Sequence, residues 1–388
     1  GQTWARATVA KVKYDGESRF VLLFSGGYDT NQDGNDTRDA DSMGNAIYMV
    51  DATTGKRLWW ASNSGANENI SEMTYSMPAS ISAIDITGDG HINYFYAADM
   101  GGRVFRFDIN NNNKGIDFAQ GGMIASLAGN DKSNNRRFYN KPNVAMVKDK
   151  QQGDYLTIAI GSGHRAHPIF TTEVENRFYV IKDFFPYGKP ASYQATSEAA
   201  QNKTSLNPGE YANANLVYNA TDLMKGAEAS ADMKSIMAHG GGWYITLDTP
   251  GEKILAHSTT SAGAILFTSF SPTGNASANC GPDTGMSSLY ALDQTSATAV
   301  MDLDGDGDID SDDAKSSLAH SGIAPTPVII YRKNGEKTIA IGTETRNDSR
   351  FQQSEPCDEG ETCAVSPSDC DVNNCYVTPV YWRENHNL

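Results

Sequence analysis

The sequence predicts an all-β fold, a β-propeller with loop insertions, on three observations. A strand rich in glycine and aromatic residues and ending in Asp recurs, closing at Asp51, Asp108, Asp183, Asp248 and Asp293, at intervals of 57, 75, 65 and 45 residues. Most of these strands have another apolar stretch upstream, as in Tyr94-Phe95-Tyr96-Ala97-Ala98, Leu156-Thr157-Ile158-Ala159-Ile160 and Ala264-Ile265-Leu266-Phe267-Thr268. Each interval therefore holds about four short strands, the content of one propeller blade. Finally, 36 glycines and an aromatic content of 10% suit many short strands joined by tight turns. A lone four-stranded sheet would leave its apolar faces wet, and stacking such sheets buries them.

Taken in order, residues 19–24 form an apolar strand that stops at Ser25-Gly26-Gly27. The following stretch, Asp29 to Asp36, alternates oxygen-bearing residues around Gly34, with Ala40 where a closing carboxylate would be needed. It reads either as a metal loop or as a hydrogen-bonded turn of the Asx type. Residues 44–59 give strand, polar turn and strand. The motif at residues 85–93 has the same alternation with only Asp85 and Asp89 as carboxylates, so a metal-free turn is favoured. Residues 190–238 read as an insertion between blades, polar and aperiodic at first, with a short helix over 227–238 closed by Gly240-Gly241-Gly242. Residues 328–342 form a hairpin turning at Asn334-Gly335, and residues 377–382 supply a strand that could close the ring.

The densest chemical signal lies at residues 302–313. Asp302, Asp304 and Asp306 occupy positions 1, 3 and 5 of an EF-hand-like calcium loop. Gly307 stands at the sharp bend, Asp308 at the backbone-carbonyl position 7, Asp310 at 9 and Asp313 at 12. So many carboxylates repel one another as a bare loop, and Ca²⁺, which takes six to eight oxygens, removes that conflict. Ile309 at position 8 is expected to turn inward, and residues 312–320 to leave the loop as a short helix before Gly322 and Pro325. The metal ligands predicted are thus Asp302, Asp304, Asp306, Asp308, Asp310 and Asp313, with Ca²⁺ as the cofactor.

Other function classes fall away. With 31 Lys and Arg against 47 Asp and Glu, the formal charge of −16 disfavours nucleic acid and anionic membrane as partners. Apolar runs are too short to span a bilayer, so no membrane insertion is expected. Gly1-Gln2-Thr3-Trp4 lacks the basic and apolar stretches of an export signal. Cys357, Cys363, Cys370 and Cys375 crowd into a polar surface loop at 352–376, which suits disulfide stapling in an oxidising compartment, a zinc site being the competitor; Cys280 is left over. His164 and His167 sit three residues apart, followed by Pro168, on what reads as a loop of structural role. No nucleophile elbow, phosphate loop or dinucleotide fingerprint is present, and the chain is not expected to be an enzyme.

Several of these motifs together resemble the C-terminal domain of PilC/PilY-type pilus tip adhesins. They are Ser25-Gly26-Gly27-Tyr28-Asp29, the strand pair at 44–59, Ala97-Ala98-Asp99-Met100-Gly101-Gly102 leading to Phe107-Asp108, and Gly161-Ser162-Gly163-His164-Arg165. Gly242-Trp243-Tyr244, Gly251-Glu252-Lys253-Ile254-Leu255 and Tyr381-Trp382-Arg383-Glu384 complete the set. The resemblance implies a single modified propeller over residues 1–388, of about seven blades and quinoprotein-like, with a calcium loop of the longer, calmodulin-like kind at 302–313. It implies an extracellular location at the type IV pilus tip after export through the periplasm, with pilus subunits (major or minor pilins) and a host-cell surface receptor as partners. The roles implied are pilus biogenesis, control of retraction, twitching motility and host-cell adhesion. The rival reading is a quinone-dependent dehydrogenase, suggested by Asp51-Ala52-Thr53-Thr54-Gly55-Lys56-Arg57-Leu58-Trp59; it requires a funnel of cationic and polar groups around an anionic cofactor.

Overall fold

Five β-sheets, consecutive in the chain, make up the computed structural model, which describes residues 1–34, 38–169, 174–200, 203, 205–272, 285–331 and 337–347. The first sheet runs β1 (Thr8–Tyr14), β2 (Glu17–Ser25), β3 (Ala46–Asp51), β4 (Arg57–Ser62), with the short β5 (Glu68–Asn69) parallel at its edge. The second is an antiparallel run of β6 (Ser82–Ile84), β7 (Tyr94–Ala98), β8 (Arg103–Ile109) and β9 (Ala119–Ser126). The third contains β10 (Asn143–Val147), β11 (Tyr155–Gly161), β12 (Arg177–Asp183), then β13 (Ser197–Glu198) and β14 (Leu216–Asn219), then β15 (Gly242–Thr246), in the spatial order β10-β11-β12-β15-β14-β13. The fourth is β16 (Thr259–Ser261), β17 (Ala264–Ser271), β18 (Met286–Asp293) and β19 (Lys315–Ser321), and the fifth β20 (Val328–Tyr331), β21 (Lys337–Ile341) and β22 (Glu344–Asn347).

Alternation along the strands builds the seams between sheets. In β8, Phe105 and Phe107 face the first sheet; Phe95 of β7 stacks on Phe107 at 4.9 Å, and Trp59 of the first sheet meets both edge-on. Val104, on the opposite face of β8, joins the seam toward the third sheet. The same division in β12 sends Phe178 and Val180 toward the fourth sheet and Tyr179 and Ile181 toward the second. Phe178, Phe267 and Tyr290 then form one stacked column, with ring centroids 3.8 and 4.6 Å apart. A strand buried on both faces must be apolar at nearly every position, which is why β7, most of β11 and the centre of β12, Phe178 to Ile181, read as apolar runs. The fourth seam joins Leu266, Leu289 and Leu318 to Ile339 and Ile341. Successive sheets packed face to face make the fold all-β and propeller-like.

Where about seven blades were expected, the described residues hold five sheets. The recurrent Asp-terminated strand does not mark one sheet each, because Asp183 ends β12 and Asp248 follows β15, and these two strands are direct neighbours in the third sheet. For the same reason residues 190–238 lie inside a sheet and not between blades. Their polar composition hides β13 and β14, which extend the sheet in parallel beside β15. The expected helix is present as Ala231–His239, here α2; it starts later than residue 227 because the Ser230 hydroxyl accepts the Met233 N–H at its N-cap. A second helix, α1, spans Thr221–Met224. The expected hairpin exists as β20 and β21, with its turn outside the described residues. The Cys-rich loop 352–376, Cys280 and the strand at 377–382 also lie outside them. Among the described residues, no helix is long and apolar enough to cross a membrane.

Two buried polar knots hold the second and third sheets. The Arg106 guanidinium, fully buried, reaches Asp108 at 2.6 Å and Asp183 at 2.8 Å, donates to the carbonyls of Phe185 and Gly188, and lies over the Tyr94 ring. The turn between β7 and β8 is organised by Asp99, whose Oδ1 accepts the N–H groups of Gly101 and Arg103 while Oδ2 has no hydrogen-bond partner. Burial pushes the Asp99 carboxyl up to about 7, against the pull of Arg103 and Arg38. An unfolded Asp titrates at about 3.9, so between those values the folded protein holds a proton that the unfolded chain has released. Stability from this group is fully present below the lower value and falls as pH rises through the window. Asp99→Asn, which keeps the Oδ1 acceptor, is expected to flatten that fall; urea midpoints at roughly pH 5 and pH 8 measure it, and an unchanged difference between them would contradict the assignment.

Candidate metal centre

The loop 302–313 joins β18 to β19 and is rooted in the fourth seam through Val300, Met301 and Leu303, all buried. From there the chain bends twice through the left-handed region, at Gly305 (φ 86°) and Gly307 (φ 99°), where a side chain would be strained. Asp302 holds the bend, its Oδ1 accepting the Gly305 N–H at 2.6 Å and its Oδ2 the Gly307 N–H at 3.1 Å. Asp304 and Asp306 accept the N–H groups of Asp306 and Asp308. This winding brings carboxylate oxygens of Asp302, Asp304 and Asp306 within 4.8 Å of one another.

Asp313 has a different role. It is buried beneath the loop, where its Oδ1 accepts the N–H groups of Leu303 (2.6 Å) and Asp304 (3.1 Å) and its Oδ2 that of Asp310 (3.0 Å). Asp310 caps the short 3₁₀ turn Ser311–Ala314. Of the six predicted ligands, then, the fold gathers three carboxylates at the loop's head. Asp313 serves as the staple and Asp310 as a cap, while the Asp308 side chain is exposed. The electrostatics fit a cation: although the Asp306 N–H favours the charged form of Asp304, slight desolvation and the carboxylates of Asp306, Asp313 and Asp302 raise its pKa. An all-oxygen set with crowded negative charge is what a hard divalent ion requires, and Asp302, Asp304 and Asp306 are the residues that would hold Ca²⁺.

Two expectations about this loop are corrected. Ile309 is exposed, because Leu303 at position 2 supplies the apolar anchor instead. Residues 312–320 do not form a helix. After the 3₁₀ turn the chain extends as β19 and pairs with β18, which delivers Leu318 to the fourth seam and Lys315 Nζ to 3.0 Å from the buried Glu252. Glu252 also accepts from the hydroxyls of Ser269 and Tyr290, so the exit of the loop is tied to the core. On the outer side, Gly226 after α1 lies against Ser311, and a Cβ there would come within 2.9 Å of the Ser311 side chain.

The motif at 85–93 repeats the same geometry in miniature. Asp85 accepts the N–H groups of Gly88 and Gly90 at 2.7 Å, as Asp302 does those of Gly305 and Gly307. Asn93 accepts from Ile86 and Thr87, as Asp313 does from Leu303 and Asp304. A hydroxyl, Thr87, stands where the long loop has Asp304, and Asp89 lies 3.8 Å from Lys13 Nζ, which together favour a turn held by hydrogen bonds. In the loop after β2, the Asp29 carboxylate accepts N–H groups from Asn31, Ser42 and Met43, the Asx arrangement and not an open ligand.

One cavity went unforeseen in the sequence. About 670 Å³ in volume, it lies at the entries to β1, β6 and β16 and is lined by Trp4, Arg6, Tyr28, Tyr139, Arg165 and His257. Burial, with Lys141, Arg165 and Arg6 nearby, pulls the His257 imidazole down to about 4. Only the topology brings these residues together.

No family model matches the chain, and no curated protein matches it. Among solved structures it is similar to the Pseudomonas aeruginosa PilY1 C-terminal domain, with a TM-score of 0.58 and 15% sequence identity, over 90% of this chain and 72% of that one. At that identity the likeness speaks to the fold, and the chain carries the β-propeller-like fold of that domain.

Proposed function

We propose that this chain is the calcium-binding, non-enzymatic domain of a pilus tip adhesin, acting outside the cell in pilus biogenesis, control of retraction, twitching motility and host-cell adhesion. The observation that carries the reading is the coincidence of two features: a fold likeness to the PilY1 C-terminal domain over 90% of the chain, and a loop that winds three carboxylates together on a buried staple. Calcium bound there would add stability by mass action and fix the face that the loop shares with α1. Pilus subunits and a host-cell receptor are the partners this reading requires.

The test is complementation. Cells lacking the protein are supplied with it either unchanged or as Asp302→Asn with Asp306→Asn, and surface pili and twitching are scored. Restoration by the unchanged protein and failure of the variant is the expected result; equal restoration by both would remove calcium from the function. The quinone-dehydrogenase reading is tested separately, by adding pyrroloquinoline quinone with Ca²⁺ and following dye-linked alcohol oxidation; turnover would overturn the non-enzymatic assignment.

A further inference from the structure

Asp33, in the turn after β2, and His164 and His167, in the segment after β11, are remote in sequence, yet the fold sets a donor atom of each within 4.8 Å of the others. His167 Nε2 lies 3.6 Å from Asp33 Oδ1, and the two imidazoles meet edge to face at 4.7 Å. His164 Nε2 is buried without a hydrogen-bond partner. Around them, Tyr139 stacks on His164 at 5.9 Å, and the Tyr28 hydroxyl donates to Asp33 Oδ1, the kind of outer contact that orients ligands.

We propose that Asp33, His164 and His167 form a second metal site, for a divalent transition ion such as Zn²⁺, distinct from the oxygen-only loop at 302–313. Two imidazoles and a carboxylate suit zinc and its neighbours, whereas Ca²⁺ takes oxygen ligands. Zinc bonds of 2.0–2.1 Å place tetrahedral ligand atoms about 3.3 Å apart. The His167 to Asp33 separation is already near that value, and the His164 donor lies within 4.8 Å of both. The nearby Arg137 and Lys253 weaken the hold on a metal, which sets the affinity below that of a closed structural zinc site. Three protein ligands leave a coordination position open, and the exposed fractions of His167 (26%) and Asp33 (44%) give solvent access to it. Tyr28 and Tyr139 also line the 670 Å³ cavity, so that access lies beside it.

The probe is Co²⁺, titrated into the calcium-loaded chain and followed by its visible d–d absorption, with Zn²⁺ as competitor. One equivalent is expected to bind and to be displaced by Zn²⁺. Binding should weaken by at least about 100-fold in His167→Ala and in His164→Phe, the latter keeping the stack on Tyr139. Asp302→Asn with Asp306→Asn should leave it unchanged. Thermal unfolding without metal identifies any variant that fails to fold, and Asp33→Asn, on a partly exposed turn, supplies an independent third variant. Absence of cobalt bands, or bands with thiolate charge transfer that persist in the His variants and so belong to the cysteines, would overturn the proposal.

Discussion

Calorimetric titration of Asp302→Asn with Asp306→Asn is expected to show calcium affinity at least about 100-fold weaker than in the unchanged chain, a loss of roughly 2.7 kcal/mol. Asparagine is the appropriate replacement because both side chains also accept backbone N–H groups. Alanine would free the amides of Gly305 and Gly307 and confound lost charge with a collapsed bend. With the amide oxygen retained, the loop keeps its course and loses two of its three clustered charges. Without calcium the variant should be as stable as the unchanged chain or slightly more so, since the crowding that raises the Asp304 pKa is relieved. With calcium at a hundred times its dissociation constant, the unchanged chain should gain about 2.7 kcal/mol and the variant almost nothing. Equal stoichiometry and affinity in both proteins would end the assignment of the loop as a calcium site.

Arg106→Met is expected to destabilise the fold by about 3–5 kcal/mol, read from urea unfolding at neutral pH. Methionine fills part of the volume but leaves Asp108 and Asp183 facing each other without the cation between them, and frees the carbonyls of Phe185 and Gly188. The penalty comes from uncompensated buried charge more than from lost attraction. Adding Asp108→Asn and Asp183→Asn to the same chain should therefore recover a substantial part of it. A loss below about 1 kcal/mol would place Arg106 among ordinary surface ion pairs.

Local chemistry was readable in the sequence wherever a few neighbouring residues decide the outcome. The alternation of Asp302, Asp304 and Asp306 with Gly305 and Gly307 encodes the winding of the loop directly, because glycine takes those left-handed backbone angles at the least cost. Strand identity was equally plain in β7, β11 and the centre of β12, whose two-sided burial writes itself as apolar runs. What stayed hidden depends on partners far along the chain. That β12 and β15 share a sheet is set by register across a long polar insertion. Residues 315–321 carry no strong preference and extend because β18 offers an open edge and Glu252 a buried carboxylate for Lys315. Asp33 and His164 have nothing in their own neighbourhoods to announce each other.

Each apolar seam is shared by sheets that follow one another in the chain, the first with the second and so on to the fifth. A sheet newly added to the growing chain thus finds its complementary face already laid down by the segment made before it. Folding can proceed from one end, each unit shielding the sticky flank of its predecessor, and the loop 302–313 is wound only when the fourth unit arrives, late in that order.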